Sequence, residues 1–375
     1  MIVEPVSSIH NVMFEGRWVC DNESQSIITA WAGSSISFVF SGTNLKLICG
    51  ENTERRDKWN GGVPMLAVSM IPNTAPVSAP QCHKWTMLDP QPGATLHLVE
   101  NENKTPSEIL VKLLMVDWAS LFELKCLLIN EEATIHRPSI TYHNRILFIG
   151  DSISCGYFAQ PNGSPIPGSA PRGCLDAFPY VTQRLLSADD QGYYFDVDLV
   201  AYPGWTLVSP TSEEQSEGNP WGMLKGYFQV SPWDTTNQYN YNYLPDISTI
   251  VIELGTNDQE YYATERFEID LCSFLLNLAQ EIPSTLQHIL VIPPFADGGQ
   301  PTKLQQEFST IIERLRTTFT RLDICDINSC LDHTNTIDGI HPSVEGHKKL
   351  GIEMARFILA HLIEPKATPV VTIYP

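Results

Sequence analysis

The chain has 375 residues, a length that suits two domains or one large one. Hydrophobic residues make up 43% of it, with eight Trp, thirteen Tyr and fifteen Phe, which excludes disorder as a description of most of the chain. The formal net charge of −20, from 23 basic against 43 acidic residues, repels phosphate backbones and sets nucleic acid aside as a partner. A neutral or cationic substrate suits such a surface better than an anionic polymer.

Residues 1–140 read as short strands separated by turns. Ile36, Phe38 and Phe40 alternate with Ser35, Ser37 and Val39, and Leu45 and Leu47 continue the pattern after the turn Gly42-Thr43-Asn44. Further strands are expected at Met65 to Ile71, Leu96 to Val99, Ile109 to Val116 and Leu124 to Leu128. Turn residues separate them, as in Asn60-Gly61-Gly62 and Asp89-Pro90-Gln91-Pro92-Gly93, and no long helical period intrudes. This spacing predicts an all-β sandwich or jelly-roll domain over 1–140.

Residues 141–375 follow a different pattern. Apolar strands are predicted at Arg145 to Ile149, Phe195 to Ala201, Thr249 to Leu254, Ile289 to Ile292 and Leu322 to Ile327. Helical periods fit Ala177 to Leu186, Arg266 to Gln280, Lys303 to Thr318 and Val344 to Leu362. Alternating strands and helices imply right-handed crossovers and a mostly parallel sheet, hence an α/β domain. Two insertions break the rhythm: a Pro/Gly-rich one from Gln160 to Arg172 and a long aromatic one from Trp205 to Leu244, whose Trp205, Trp221, Tyr227, Trp233 and Tyr239 suggest a functional loop. The tail after Pro365 is Pro/Thr/Val-rich.

The nine cysteines are scattered, with no CxxC or Cys/His cluster at zinc spacing, so neither a metal nor another cofactor is expected. The opening MIVEPVSSIH lacks the features of a signal peptide, which points to the cytoplasm; secretion stays open if a leader was removed. No stretch is long and apolar enough to span a membrane. Sequons at Asn22, Asn103 and Asn162 occur at chance frequency and decide nothing. The oligomeric state cannot be read from the chain.

Three segments carry polar clusters. Gly150-Asp151-Ser152-Ile153-Ser154-Cys155-Gly156 and Gly255-Thr256-Asn257-Asp258 follow predicted strands, and Asp338-Gly339-Ile340-His341-Pro342 precedes the last helix. In an open α/β sheet ligands bind beyond the carboxyl ends of the strands, so the first two belong at the site edge and the third can reach it. Ser152, at the start of a helical segment, needs a base for its hydroxyl proton, and His341 is the candidate. Asp338, three residues before it, can accept from the other ring nitrogen and fix the tautomer. Asn257 offers an amide donor to a developing oxyanion, as does a backbone N–H at a glycine such as Gly204. Asp258 reads as a structural tie between the site loops, and Trp205 as either a stacking platform for substrate or a plug for its loop. His10, His83, His97 and His288 read as ordinary histidines, with His333 a competitor for the base role.

The block Ile149-Gly150-Asp151-Ser152-Ile153-Ser154-Cys155-Gly156 resembles the first block of SGNH (GDSL-like) hydrolases. Gly204 within Tyr202-Pro203-Gly204-Trp205 resembles the second-block glycine, Gly255-Thr256-Asn257-Asp258 the third block and Asp338-Gly339-Ile340-His341-Pro342 the fifth. The β-rich segment before them is similar in architecture to that of carbohydrate esterase family 2. The resemblance implies a flavodoxin-like three-layer α/β/α domain and a catalytic Ser152–His341 pair with Asp338 as third member. It also implies an oxyanion hole from the Ser152 N–H, the Gly204 N–H and the Asn257 side chain. The leading expectation is a serine esterase that removes acetyl or another short acyl group from a carbohydrate or glycosylated compound through an acyl-enzyme. A lipase- or acyltransferase-type enzyme acting on a lipid or natural-product ester, and a glycan-binding protein with a vestigial site, are the alternatives.

Overall fold

The computed structural model describes residues 2–5, 11–21, 23–57, 62–73, 83–100, 107–139, 144–164, 169–187, 195–216, 219–239, 247–259, 261–281, 286–296 and 300–361. Asn22, Asn103, His10, Cys82, the Asn60-Gly61 turn positions and the tail after Pro365 lie outside the described residues.

The N-terminal part folds as two antiparallel sheets. One has seven strands, running in the order Thr95–Glu100, Asn44–Cys49, Ser120–Ile129, Ser26–Thr29 and Val19–Asp21, with Ile2–Pro5 and Glu54–Arg55 also paired to Ser120–Ile129. The other has six, in the order Thr134–His136, Ser35–Gly42, Ser107–Met115, Leu66–Pro72 and Trp85–Leu88, with Met13–Glu15 against Ser35–Gly42. Ile36, Phe38 and Phe40 of one sheet meet Leu47, Phe122 and Leu124 of the other in a shared apolar core. The predicted alternation along Ser35–Gly42 is present, yet Ser35, Ser37 and Val39 on its second face are buried as well. The reason is that the α/β part lies against the six-stranded sheet: Ala67, Leu114 and Val116 share a core with Phe178, Tyr180 and Leu199. Buried charges cross the same junction. Arg145 pairs with Asp196 at 2.7 Å, Asp198 at 2.8 Å and Glu15 at 3.5 Å, and Lys112 pairs with Glu15 at 3.0 Å.

Five parallel strands make the third sheet: β1 Asn144–Gly150, β2 Phe195–Ala201, β3 Thr249–Glu253, β4 His288–Ile292 and β5 Leu322–Ile324. Their order is β2-β1-β3-β4-β5, the flavodoxin-like arrangement. Alternate residues of β1 serve the two faces. Ile146 and Phe148 pack with Phe178 of α1 (Phe178–Leu186) and with Leu350 and Met354 of α4 (Val344–His361). Leu147 and Ile149 pack with Phe267, Leu271 and Phe274 of α2 (Thr264–Glu281) and Phe308 and Ile311 of α3 (Lys303–Arg316). This is a three-layer α/β/α unit, with helices on both faces because every strand of a parallel sheet needs a crossover.

The aromatic insertion is not structureless. Its described residues hold a helical turn at Met223–Gly226 and a hairpin of Gln229–Ser231 with Asp234–Gln238. Trp205, Leu207, Val208, Met223 and Tyr227 are buried in the α/β core, so much of the aromatic content that marked the segment is packing material. Among the described residues no helix is long and apolar enough to cross a membrane, and no group of three or more His, Cys, Asp or Glu side chains converges as a metal shell. The eight described cysteines are free thiols.

Candidate active site

Strand order reverses between β1 and β3, and the first and second polar clusters leave the carboxyl ends of these neighbours. Ser152 opens a single helical turn, Ser152–Cys155, directly after β1. Asp151 caps that turn, its Oδ1 accepting from the Ile153 N–H at 3.0 Å. The turn sits so tightly on the strand that a Cβ on Gly150 would lie 2.1 Å from Ser154 Oγ, hence the glycine. Among the described residues no protein acceptor takes the Ser152 N–H, which leaves it available at a helix start.

His341 Nε2 lies 2.9 Å from Ser152 Oγ, and its Nδ1 lies 2.6 Å from Asp338 Oδ2. Asp338 Oδ1 also accepts from the backbone N–H groups of His341, at 2.8 Å, and Ile340, at 3.1 Å. Partial burial would raise the Asp338 carboxyl, but these donors outweigh it and hold the group at about 2. The loop is pinned by Ile337 N–H to the His341 carbonyl at 2.9 Å and by Ser343 N–H to the Asn335 carbonyl at 2.8 Å. Tyr157 and Phe158 present ring edges to the imidazole, with centroids 5.1 and 5.3 Å away. Phe158 does so with φ at +60°, a conformation that strains a residue with a Cβ by about 1–2 kcal/mol. Trp118 of the β-rich part packs edge-on against Tyr157, so that part supports the wall behind His341.

Asn257 Nδ2 donates to Asp151 Oδ2 and to the Trp205 carbonyl, each at 3.0 Å. Gly204 is exposed on the neighbouring turn with φ at +78°, and no protein acceptor takes its N–H among the described residues. Asp258 is fully buried and accepts from the Leu207 and Val208 N–H groups, both at 2.9 Å, which ties the second-block loop to the third.

A cavity of about 270 Å³ opens over Ser152, Asn257 and His341. Thr256, Gln259, Gln300, Thr302 and Gln305 are among its polar lining side chains, with Ile340 and Tyr261 the apolar members. Tyr261 stands at the rim with 76% of its surface exposed. An adjoining cleft of about 480 Å³ shares Gln305 and Ile340 with this cavity and is lined by His333, Asp326 and Phe295.

The structure thus brings Ser152, His341, Asp338 and Asn257 together and puts Gly204 on the adjacent turn, outside the cavity lining. Trp205 is a correction. Only 1% of it is exposed, and it packs edge-on against Trp31 at 5.7 Å, so it plugs the loop and its ring cannot stack on substrate. His333 lies in the adjoining cleft, whereas His341 occupies the position beside Ser152. Tyr157, Phe158 and Tyr261 escaped sequence reasoning because isolated aromatics carry no spacing signal; only the positive φ and the rim position single them out.

The GDSL-like Lipase/Acylhydrolase family model matches residues 148–349, more than half of the chain. The chain belongs to this family. Over 228 residues it is 25% identical to a multidomain esterase of Ruminococcus flavefaciens, a match covering 55% of this chain and 27% of the relative, so the chain spans about a quarter of that protein. Its fold is similar to a family two carbohydrate esterase from Cellvibrio japonicus, with a TM-score of 0.71 and 16% identity over 96% of this chain and 98% of that one. It is likewise similar to an acetyl xylan esterase from Butyrivibrio proteoclasticus, with a TM-score of 0.67 and 16% identity over 96% and 99%. Both likenesses span the β-rich part as well as the α/β part.

Proposed function

We propose that the protein is a serine carbohydrate esterase, removing acetyl or another short acyl group from a sugar. The observation that carries the reading is the unbroken relay Asp338–His341–Ser152 at 2.6 and 2.9 Å, opening on a small cavity with polar side chains in its lining. His341 accepts the hydroxyl proton on Nε2 as Ser152 Oγ bonds to the ester carbonyl carbon, while Asp338 holds Nδ1–H and stabilises the imidazolium. The carbonyl oxygen becomes an oxyanion, met by the Ser152 and Gly204 N–H groups and by Asn257. Both Asn257 amide hydrogens are engaged at rest. The oxyanion competes with the neutral Trp205 carbonyl for one of them, and the charged Asp151 keeps the other. The imidazolium then protonates the leaving sugar alkoxide, leaving an acyl-serine, and water attacks that ester by the same steps with His341 again as base.

The walls support this substrate class. Thr256, Gln259, Thr302 and Gln305 line the cavity with polar side chains where a lipid tail would need apolar ones, and the exposed ring of Tyr261 is a face on which a pyranose can lie. The jelly-roll description of the two-sheet part, and a boundary near residue 140, belong to the same proposal. The test is a panel of acetylated oligosaccharides and lipid esters, read by mass spectrometry, with 4-nitrophenyl esters of increasing chain length alongside. Acetate release from the sugars is expected. Turnover of long-chain lipid esters with no release from any acetylated sugar would overturn the reading.

A further inference from the structure

Beneath the nucleophile lies a group that no step above uses. Glu253 is the last residue of β3, paired in register with Gly150, and its side chain is 1% exposed. Its Oε2 accepts from Ser154 Oγ at 2.8 Å and faces the Asp151 N–H at 3.5 Å. Its Oε1 is buried and has no donor to accept from among the described residues. The Asp151 carboxyl interacts with the Glu253 carboxyl in the same buried spot. No cation touches the pair among the hydrogen bonds and ion pairs of the described residues. The other titratable groups around it are Cys155 and Asp258, both acidic, with His341 beyond Asp151. Two carboxylates side by side in such a place repel each other and lack solvation, so the arrangement is stable only with a proton on one of them.

The donors decide which. Asp151 accepts from the Ile153 N–H, from Asn257 Nδ2 and weakly from Ser152 Oγ at 3.5 Å, whereas Glu253 has a single close donor. Burial pushes both carboxyls up. We propose that Glu253 is a neutral carboxylic acid that donates to Asp151 and is thereby a positioning residue for the oxyanion hole: it fixes Asp151, which fixes the Asn257 amide. Glu253 touches no reacting atom. Its second effect is electrostatic. It limits the Asp151–Glu253 pair to one negative charge, and a second would oppose the oxyanion forming above it.

The inference rests on the Ser152–Asn257 reading of the site, so the experiment is arranged to separate the two. Initial rates with 4-nitrophenyl acetate are measured on the full chain for wild type, Ser152→Ala, Asn257→Ala, Glu253→Gln, Glu253→Leu and the double variant Glu253→Leu/Asn257→Ala. Glu253→Leu should lose about 10²-fold in kcat with KM within about twofold, as expected where an oxyanion donor is misplaced. Glu253→Gln, whose amide still donates to Asp151, should restore kcat to within about threefold of wild type. In the Asn257→Ala background, Glu253→Leu should add less than about threefold, because the two act on one element. The wild-type kcat should fall at alkaline pH as the proton leaves the pair, and Glu253→Gln should lack that limb. Hydrolysis by Ser152→Ala overturns the site itself. An inactive Ser152→Ala beside a Glu253→Leu of wild-type kcat, a Glu253→Gln as impaired as Glu253→Leu, or fully additive losses in the double variant overturns the Glu253 proposal alone. Should Glu253→Leu fail to fold, the alkaline limb decides: its loss in Glu253→Gln supports the proposal and its persistence overturns it.

Discussion

The two sides of the Ser152 hydroxyl are built in opposite ways. On the base side, His341 and Asp338 stand on a partly exposed loop, and Asp338 is held at about 2 by the ring and two backbone donors. On the oxyanion side, Asp151, Asp258 and Asn257 lie on or in the floor of the α/β unit, and burial pushes Asp258 up to about 7 although two backbone N–H groups bind it. The same carboxyl chemistry is thus driven in opposite directions. Near water, three donors are enough to fix a negative charge; in the interior, comparable donors leave the carboxyl much easier to protonate because desolvation outweighs them. The base side can therefore supply charge and the oxyanion side geometry.

The hydroxyl shared by both sides should carry the largest effect. Ser152→Ala removes the nucleophile and leaves only the binding and oxyanion contributions, so kcat should fall by about 10³-fold or more with an unchanged circular dichroism spectrum. Activity within about tenfold of wild type would dissolve the comparison, since neither side would then be acting on Ser152. On the oxyanion side, Asn257→Ala should lower kcat by about 10²–10³-fold with little change in KM, measured by steady-state kinetics on a short-chain ester. A change confined to KM would make Asn257 a substrate-binding group and leave the oxyanion to backbone donors.

How far this division could be read from the chain follows from where its parts lie. Ser152, Asn257, Asp338 and His341 sit in contiguous clusters at strand ends or before a helix, and local order along the chain is what a sequence displays. The parallel strands were legible for the same reason: Ile146–Ile149 and Ile289–Ile292 are unbroken apolar runs. Strands such as Val19–Asp21, Glu54–Arg55 and Thr134–His136 have three residues or fewer, too short for any period to show. Trp205 was legible as important and not as buried, because a loop aromatic reads alike whether it faces substrate or core. The tie between Asp151 and Asn257 bridges 106 positions, and Glu253 looks like one polar interruption at the end of a buried strand. Both are products of the fold.

A smaller effect is expected on the base side. Asp338→Asn should reduce the kcat/KM plateau by roughly 10²-fold, less than the ~10⁴-fold cost at a buried triad aspartate, because this loop is accessible to water that can partly replace the carboxylate. Asp338 is ionised above about 2, so it holds the ring as a carboxylate throughout the neutral range. The stability effect has a definite sign too. The folded value lies below the unfolded one near 3.9, so the Asp338 contribution is present above that pH and is lost as pH falls through about 2. Urea midpoints of wild type and Asp338→Asn should converge toward that limit. A plateau lowered only slightly would make the base side a Ser152–His341 dyad.

The smallest kinetic effect is expected under the oxyanion side, at Trp205. Its ring is buried against Trp31 and Tyr202, and its Nε1 has no hydrogen-bond partner among the described residues. Trp205→Phe therefore sacrifices no hydrogen bond and removes only part of a ring from the core, a loss of about 1–3 kcal/mol that should appear as a lower urea midpoint. The Trp205 carbonyl, which accepts from Asn257, belongs to the backbone and survives the substitution, so kcat and KM should stay within about twofold of wild type. If Trp205→Phe instead raises KM for acetylated sugars severalfold with its urea midpoint unmoved, the ring reaches the substrate after all. The loop after β2 would then have to open in solution, and the oxyanion side would be the more mobile of the two.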